Sequence, residues 1–159
     1  MPESDPDHAI SDGVYVSNGN YMKIAANKAQ PAMRKSIVVH ESIHAAHDIA
    51  RSSQLLVRES EMASYIAQAM YIRCYHPTAV QRPNELRPTR FIAPGAPGET
   101  EAKEAEKILS AAWDCAVRIT GGQKTLSAAD PELAALEKAI TTSFLYSGNH
   151  GDHIFADGV

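Results

Sequence analysis

His40, Glu41 and His44 stand in the order His-Glu-x-x-His within the run Ile37-Val38-Val39-His40-Glu41-Ser42-Ile43-His44-Ala45-Ala46. On a helix, positions i and i+4 share a face, so both imidazoles can reach a single Zn²⁺. Glu41, one residue on, is rotated away from the two ligands yet stays beside the metal. That is the place for a carboxylate that takes a proton from a metal-activated water and does not bind the ion. The flanks Ile37, Val38, Val39, Ile43, Ala45 and Ala46 are apolar and Ser42 is small. A buried metal helix requires such neighbours, whereas a solvated amphipathic helix mixes Lys and Glu among them. The bland alternative is two ordinary histidines on a half-buried helix with a solvated glutamate.

A catalytic zinc keeps three protein ligands and one open position, so a third ligand is required. After Arg51-Ser52-Ser53-Gln54, the chain from Leu55 to Tyr71 contains helix formers without Gly or Pro, and Met62, Tyr65, Ile66, Ala69 and Met70 recur at helical spacing. Glu61 lies one turn before Tyr65 on that stripe, where an acid is costly unless paired or metal-bound. Glu61 is therefore the expected ligand, with Glu59 in reserve. His47 lies roughly 10 Å along a straight helix from His40, too far to share a small ion easily, and is expected to orient a ligand or bond a carboxylate. Asp48 either anchors an imidazole from behind or is solvated at the helix end.

Residues 38 to 46 resemble the active-site helix of zincin metallopeptidases, and Glu59-Ser60-Glu61-Met62-Ala63-Ser64-Tyr65 resembles the glutamate helix of the gluzincin branch. Within it, His40 to His47 is similar to the segment in clostridial neurotoxin light chains and certain bacterial effector peptidases. The Glu-x-Glu start of the second helix resembles compact bacterial peptidases that cleave phage repressors. The resemblance covers roughly residues 36 to 71. It implies zinc ligands His40, His44 and Glu61, Glu41 as general base, and a narrow protein target. Sixteen residues separate His44 from Glu61, fewer than in many gluzincins, and the longer pattern with a third histidine that marks metzincins is absent.

Other elements must hold these groups. Gly13 to Ala25 reads as two β-prone runs joined by Asn18-Gly19, a pair that favours a two-residue hairpin turn. Such a hairpin either offers an edge strand to an extended peptide or only covers the core. Five prolines between residues 76 and 98 exclude a continuous helix there. Arg73, Arg82, Arg87 and Arg90 in or near that loop are solvated or meet acidic groups. A helix from Glu99 to about Arg118 buries Ala102, Ala105, Ile108, Leu109, Ala112, Trp113, Ala116 and Val117 and stops at Gly121-Gly122. Asp130-Pro131-Glu132 opens a last helix whose stripe runs through Leu133, Leu136, Ile140, Phe144 and Leu145. The turn Gly148-Asn149-His150-Gly151-Asp152-His153 reads as an exposed tail. Were one of its histidines catalytic, as an oxyanion donor, it would be His153, anchored by Ile154 and Phe155.

At 159 residues the chain suits one domain with a real core, covering residues 1–159. A net charge of -4 without a basic cluster gives no nucleic-acid surface. No apolar run is long enough to span a bilayer, and the acidic start lacks a secretory signal. A cytoplasmic location, signal-independent export or origin in a larger precursor are the expectations. Cys74 and Cys115 are expected as buried, reduced thiols. The expected fold class is α+β, predominantly helical, a small zincin-like domain with an N-terminal hairpin. The expected activity is zinc-dependent hydrolysis of a peptide bond in a peptide or protein, with Glu41 acting on the zinc-activated water. The competing expectations are a catalytically inactive zinc-binding regulatory or toxin-like module, and an amidase acting on a cell-wall or other non-protein amide. Retention of Glu41 argues against the inactive module, since a structural site needs no base and closes its fourth position with protein, for which His47 or His150 are the candidates.

Overall fold

The computed structural model describes residues 13–16, 19, 21–24, 31–79, 81–123 and 125–154. Strands β1 (Gly13–Val16) and β2 (Tyr21–Ile24) form a two-stranded antiparallel sheet, followed by helices α1 (Pro31–Ile49), α2 (Val57–Tyr75), α3 (Glu99–Thr120) and α4 (Pro131–Thr142). The fold is thus predominantly helical with a small N-terminal sheet, the α+β class expected. Val16 faces Tyr21, the register that a hairpin centred on Asn18-Gly19 requires, although Asn18 itself lies outside the described residues. Among the described residues no helix is long and apolar enough to cross a membrane.

Helix α2 is the central element, packing on α1 along one side and on α3 and α4 along the other. The second contact is the apolar core. Ala69 and Ile72 of α2 meet Ile108, Leu109, Ala112, Trp113, Cys115 and Ala116 of α3 and Leu136 and Ile140 of α4. Most of the stripe read for α3 is buried, but Val117 is exposed and Cys115 takes an inward position. Burial raises the Cys115 thiol to about 11, so it stays protonated. Cys74, expected to be buried, is exposed, because the inward positions at the end of α2 go to Ala69 and Ile72.

Helix α4 stops at Thr142, short of Phe144 and Leu145, which are exposed. The chain then runs through turns to residue 154 instead of continuing the helical stripe. These turns are largely exposed, as expected, but they are tied down by backbone hydrogen bonds. Asp152 and His150 carbonyls accept from Val57 N–H (2.7 Å) and Arg58 N–H (3.1 Å), and Leu55 C=O accepts from Ile154 N–H (2.9 Å). The first turn of a helix leaves its amides without intrahelical partners, and here the C-terminal segment supplies them.

Between residues 76 and 98, two short 3₁₀ turns, Asn84–Leu86 and Pro88–Phe91, replace a structureless loop. Leu86 is buried in the core. Two of the arginines there are staples. Arg73 donates to the carbonyls of His76 and Ala79 and lies over the Trp113 ring at 5.2 Å. Arg82 makes a two-pronged contact with Asp114. Arg87 and Arg90 are exposed.

Candidate metal centre

The inward row of α1 is polar. Ser36, His40 and His44 follow at intervals of four, with Asp48 one turn further, and Ser36, His40, Glu41 and Asp48 are all buried. Such a row lies on one helical face. Opposite it, α2 presents Ser60, Ser64 and Gln68 at the same interval, all buried. These polar groups are satisfied locally: Ser36 Oγ donates to Met33 C=O, Ser64 Oγ to Ser60 C=O, and Gln68 Nε2 to Ser36 Oγ. Short side chains at this contact leave room for two imidazoles between the helices.

The outer face of α1 departs from the buried helix expected. Val38 and Ile49 are exposed, with Ser42 and Ala46 between them. Its end is a left-handed turn at Arg51 (φ 52°), where Ser52 N–H reaches back to His47 C=O and Arg51 N–H to Asp48 C=O. That tight reversal returns the chain along α1, which lets Glu61 of α2 face the α1 histidines.

Three donors converge. His40 Nε2 and His44 Nε2 lie 3.2 Å apart, and Glu61 presents Oε2 to His40 Nε2 at 3.4 Å and Oε1 to His44 Nε2 at 3.5 Å. With metal–ligand bonds of about 2.0–2.1 Å, neighbouring donors in a tetrahedral site stand about 3.3 Å apart. The separations match that edge, and imidazole with carboxylate is a donor set that zinc accepts. Among the described residues, His40, His44 and Glu61 are the one group of three such side chains able to hold a metal ion.

Glu59 is not part of this group. It is exposed and its Oε2 accepts from Leu56 N–H at 2.8 Å, closing the start of α2. Two residues on, and rotated by about 200° at 3.6 residues per turn, Glu61 faces inward.

Electrostatics set the protonation. Burial drives His44 down to about 4, with His40 and His47 adding to the fall against the pull of Glu61, so it is neutral near pH 7. Burial also works against charge on His40, yet the hydrogen bond and charge of Glu61, with the charge of Glu41, raise its proton affinity overall. Burial would raise Glu61, but His40, His44 and a hydrogen bond from Tyr146 bring it below the usual carboxylate range.

Glu41 is buried, and its Oε2 accepts from Tyr15 N–H at 2.8 Å. The Tyr15 hydroxyl donates to Asp48 at 2.8 Å. Strand β1 is thus fastened to α1 at two acids, and Asp48 is buried rather than solvated. His47 reaches His44 only through a shared serine: Ser60 Oγ lies 2.9 Å from His47 Nδ1 and 3.0 Å from His44 Nδ1.

His153 stands outside the triad. It is exposed, its Nδ1 faces Ser53 C=O at 3.0 Å, and its backbone bridges to Leu56. Main-chain bonds anchor this tail, Ile154 is half-buried, and Phe155 lies outside the described residues. His150 contributes its carbonyl to α2, and its Nδ1 is buried without a partner. Neither His47 nor His150 supplies a fourth donor to the group.

Tyr146 was not foreseen. Its hydroxyl donates to Glu61 Oε2 at 3.1 Å and lies 2.9 Å from the Tyr65 hydroxyl, while the Tyr65 ring packs edge-on against His40 at 4.6 Å. Burial raises both phenols well above the ordinary range, so both remain donors. With Tyr146 donating to Glu61, Tyr65 donates to Tyr146, and the carboxylate is held from behind.

Comparison with known proteins finds no matching family model, no matching curated protein and no matching solved structure.

Proposed function

We propose that this chain is a zinc-dependent metallopeptidase with His40, His44 and Glu61 as ligands and Glu41 as general base. On this reading it stands with the gluzincin-like zincins. The observation that carries the proposal is the convergence of the three donors at tetrahedral spacing beside a buried fourth residue, Glu41, whose carboxylate charge is felt at His40.

When bound there, zinc supplies Lewis acidity toward a carbonyl and lowers the pKa of water. Glu41 takes the proton of the attacking water and delivers it to the leaving amine nitrogen. Tyr15 N–H orients that carboxylate. Tyr146 and Tyr65 keep the Glu61 oxygens turned toward the imidazoles. The peptide class of substrate rests on the resemblance of residues 38 to 46 to the active-site helix of zincin metallopeptidases.

The test is mass-spectrometric cleavage of a mixed peptide library. Zinc-loaded wild type should cleave, a chelator should stop it and added zinc restore it. Glu41→Gln should be slower by about 10²- to 10⁴-fold with its zinc retained. Equal rates for wild type and Glu41→Gln, or no cleavage by zinc-loaded protein, would overturn the proposal.

A further inference from the structure

Ser60 is almost wholly buried between two imidazoles, with its Oγ 3.0 Å from His44 Nδ1 and 2.9 Å from His47 Nδ1. A serine hydroxyl has one proton to give and two lone pairs to receive. If both rings donated to it, its own proton would be left buried without an acceptor, which is unfavourable. One ring therefore donates and the other accepts, so the two histidines hold opposite tautomers.

The direction follows from the other ends of the rings. His44 Nε2 faces His40 Nε2 at 3.2 Å, so at least one of these nitrogens must present a lone pair, and a ligand role requires it of both. His47 is less buried than Ser60, and its Nε2–H can be solvated. We propose that Ser60 is the positioning residue of the metal site. It accepts from His44 Nδ1–H and donates to His47 Nδ1, fixing the tautomer and ring angle that aim the Nε2 lone pair of His44 at the ion. The inference rests on the metal-site reading for its purpose and for the direction of the two hydrogen bonds, though not for the opposition of the two tautomers. It gives one turn of α2 three consecutive tasks: Glu59 closes the helix start, Ser60 orients a ligand on α1, and Glu61 is itself a ligand.

Fixing a ligating imidazole from its second nitrogen typically changes metal affinity by about 10- to 100-fold. The experiment is long-range ¹H–¹⁵N NMR of the histidine rings in the full chain, metal-free and with zinc, together with zinc affinity by chelator competition. Wild type, Ser60→Ala and His47→Ala are compared, with circular dichroism as the check on folding. Wild type should show His44 as the Nδ1–H tautomer and His47 as Nε2–H. Ser60→Ala should mix the His44 tautomers and weaken zinc about 10- to 100-fold. His47→Ala should have a smaller effect in the same direction. The same tautomer on both rings in wild type would overturn the proposal. So would Ser60→Ala with unchanged His44 signals and zinc affinity within about twofold of wild type, against the 10-fold minimum expected. If wild type takes up no zinc, the metallopeptidase reading fails, while the metal-free ring signals still decide whether Ser60 links opposite tautomers.

Discussion

Helix α2 borders two interiors of opposite character. Toward α3 and α4 it contributes Ala69 and Ile72 to a core closed by Ile108, Trp113, Leu136 and Ile140, all apolar or aromatic and almost without solvent contact. Toward α1 it contributes Ser60, Glu61, Ser64 and Gln68, opposite Ser36, His40 and His44, while the buried acids Glu41 and Asp48 of α1 are met by Tyr15 of β1. Apolar burial contributes about 25 cal/mol per Å², whereas a buried carboxylate is unfavourable unless its charge and lone pairs are met. The first interior therefore accounts for the fold. The second is retained at the expense of stability, and its polar atoms are arranged around one point. That division of labour within a single 19-residue helix is the main lesson of the structure.

If the two interiors are separable, perturbing one should leave the other's readout alone. The largest effect on stability is expected in the apolar core. Ile140→Ala, at a wholly buried position, should lower the unfolding free energy by about 2–5 kcal/mol in urea titration, with unchanged zinc per folded chain. Loss of zinc by the folded variant would join the two regions into one. Next comes Tyr146→Phe, which removes the donor to Glu61 Oε2. Zinc affinity should drop about 10- to 100-fold, with helix content kept. The smallest is Glu59→Ala, which removes the acceptor for Leu56 N–H. It should destabilise by about 1 kcal/mol, in the range of other helix-cap losses, and leave zinc content as in wild type. A metal-free Glu59→Ala would return that residue to the ligand set.

The two regions also differ in how far the sequence reveals them. The apolar core is legible because α3 repeats its hydrophobic residues at helical spacing from Ala102 to Ala116, and Gly121-Gly122 marks its end. The α1 half of the site is legible because its chemistry is local: His40, Glu41 and His44 lie within two turns of one helix. Glu61 could be chosen over Glu59 because one-turn spacing from Tyr65 set its face. The remaining polar seam is visible in retrospect as two rows at intervals of four, Ser36-His40-His44 and Ser60-Ser64-Gln68, but each serine looks like an ordinary helix residue until its opposite number is known.

Contacts with no local pattern were not legible. Tyr146 reaches Glu61 across 85 positions, and Tyr15 reaches Asp48 across 33. Nothing in a short window reports such pairings. The expectation for His153 failed to anticipate that backbone bonds to Leu55 and the start of α2 hold the tail, leaving the side chain outside. The stripe read through Phe144 and Leu145 misled for a related reason: the helix gives way after Thr142 and the following turns carry Tyr146 to the site.

The measurement that tests the account most directly is metal content by inductively coupled plasma mass spectrometry on untagged protein, for wild type, His44→Ala, Glu61→Ala and Glu41→Gln. Near-stoichiometric zinc is expected in wild type and Glu41→Gln and should be lost in the two ligand variants. A wild type that is folded, metal-free and unable to bind added zinc would contradict the metal centre.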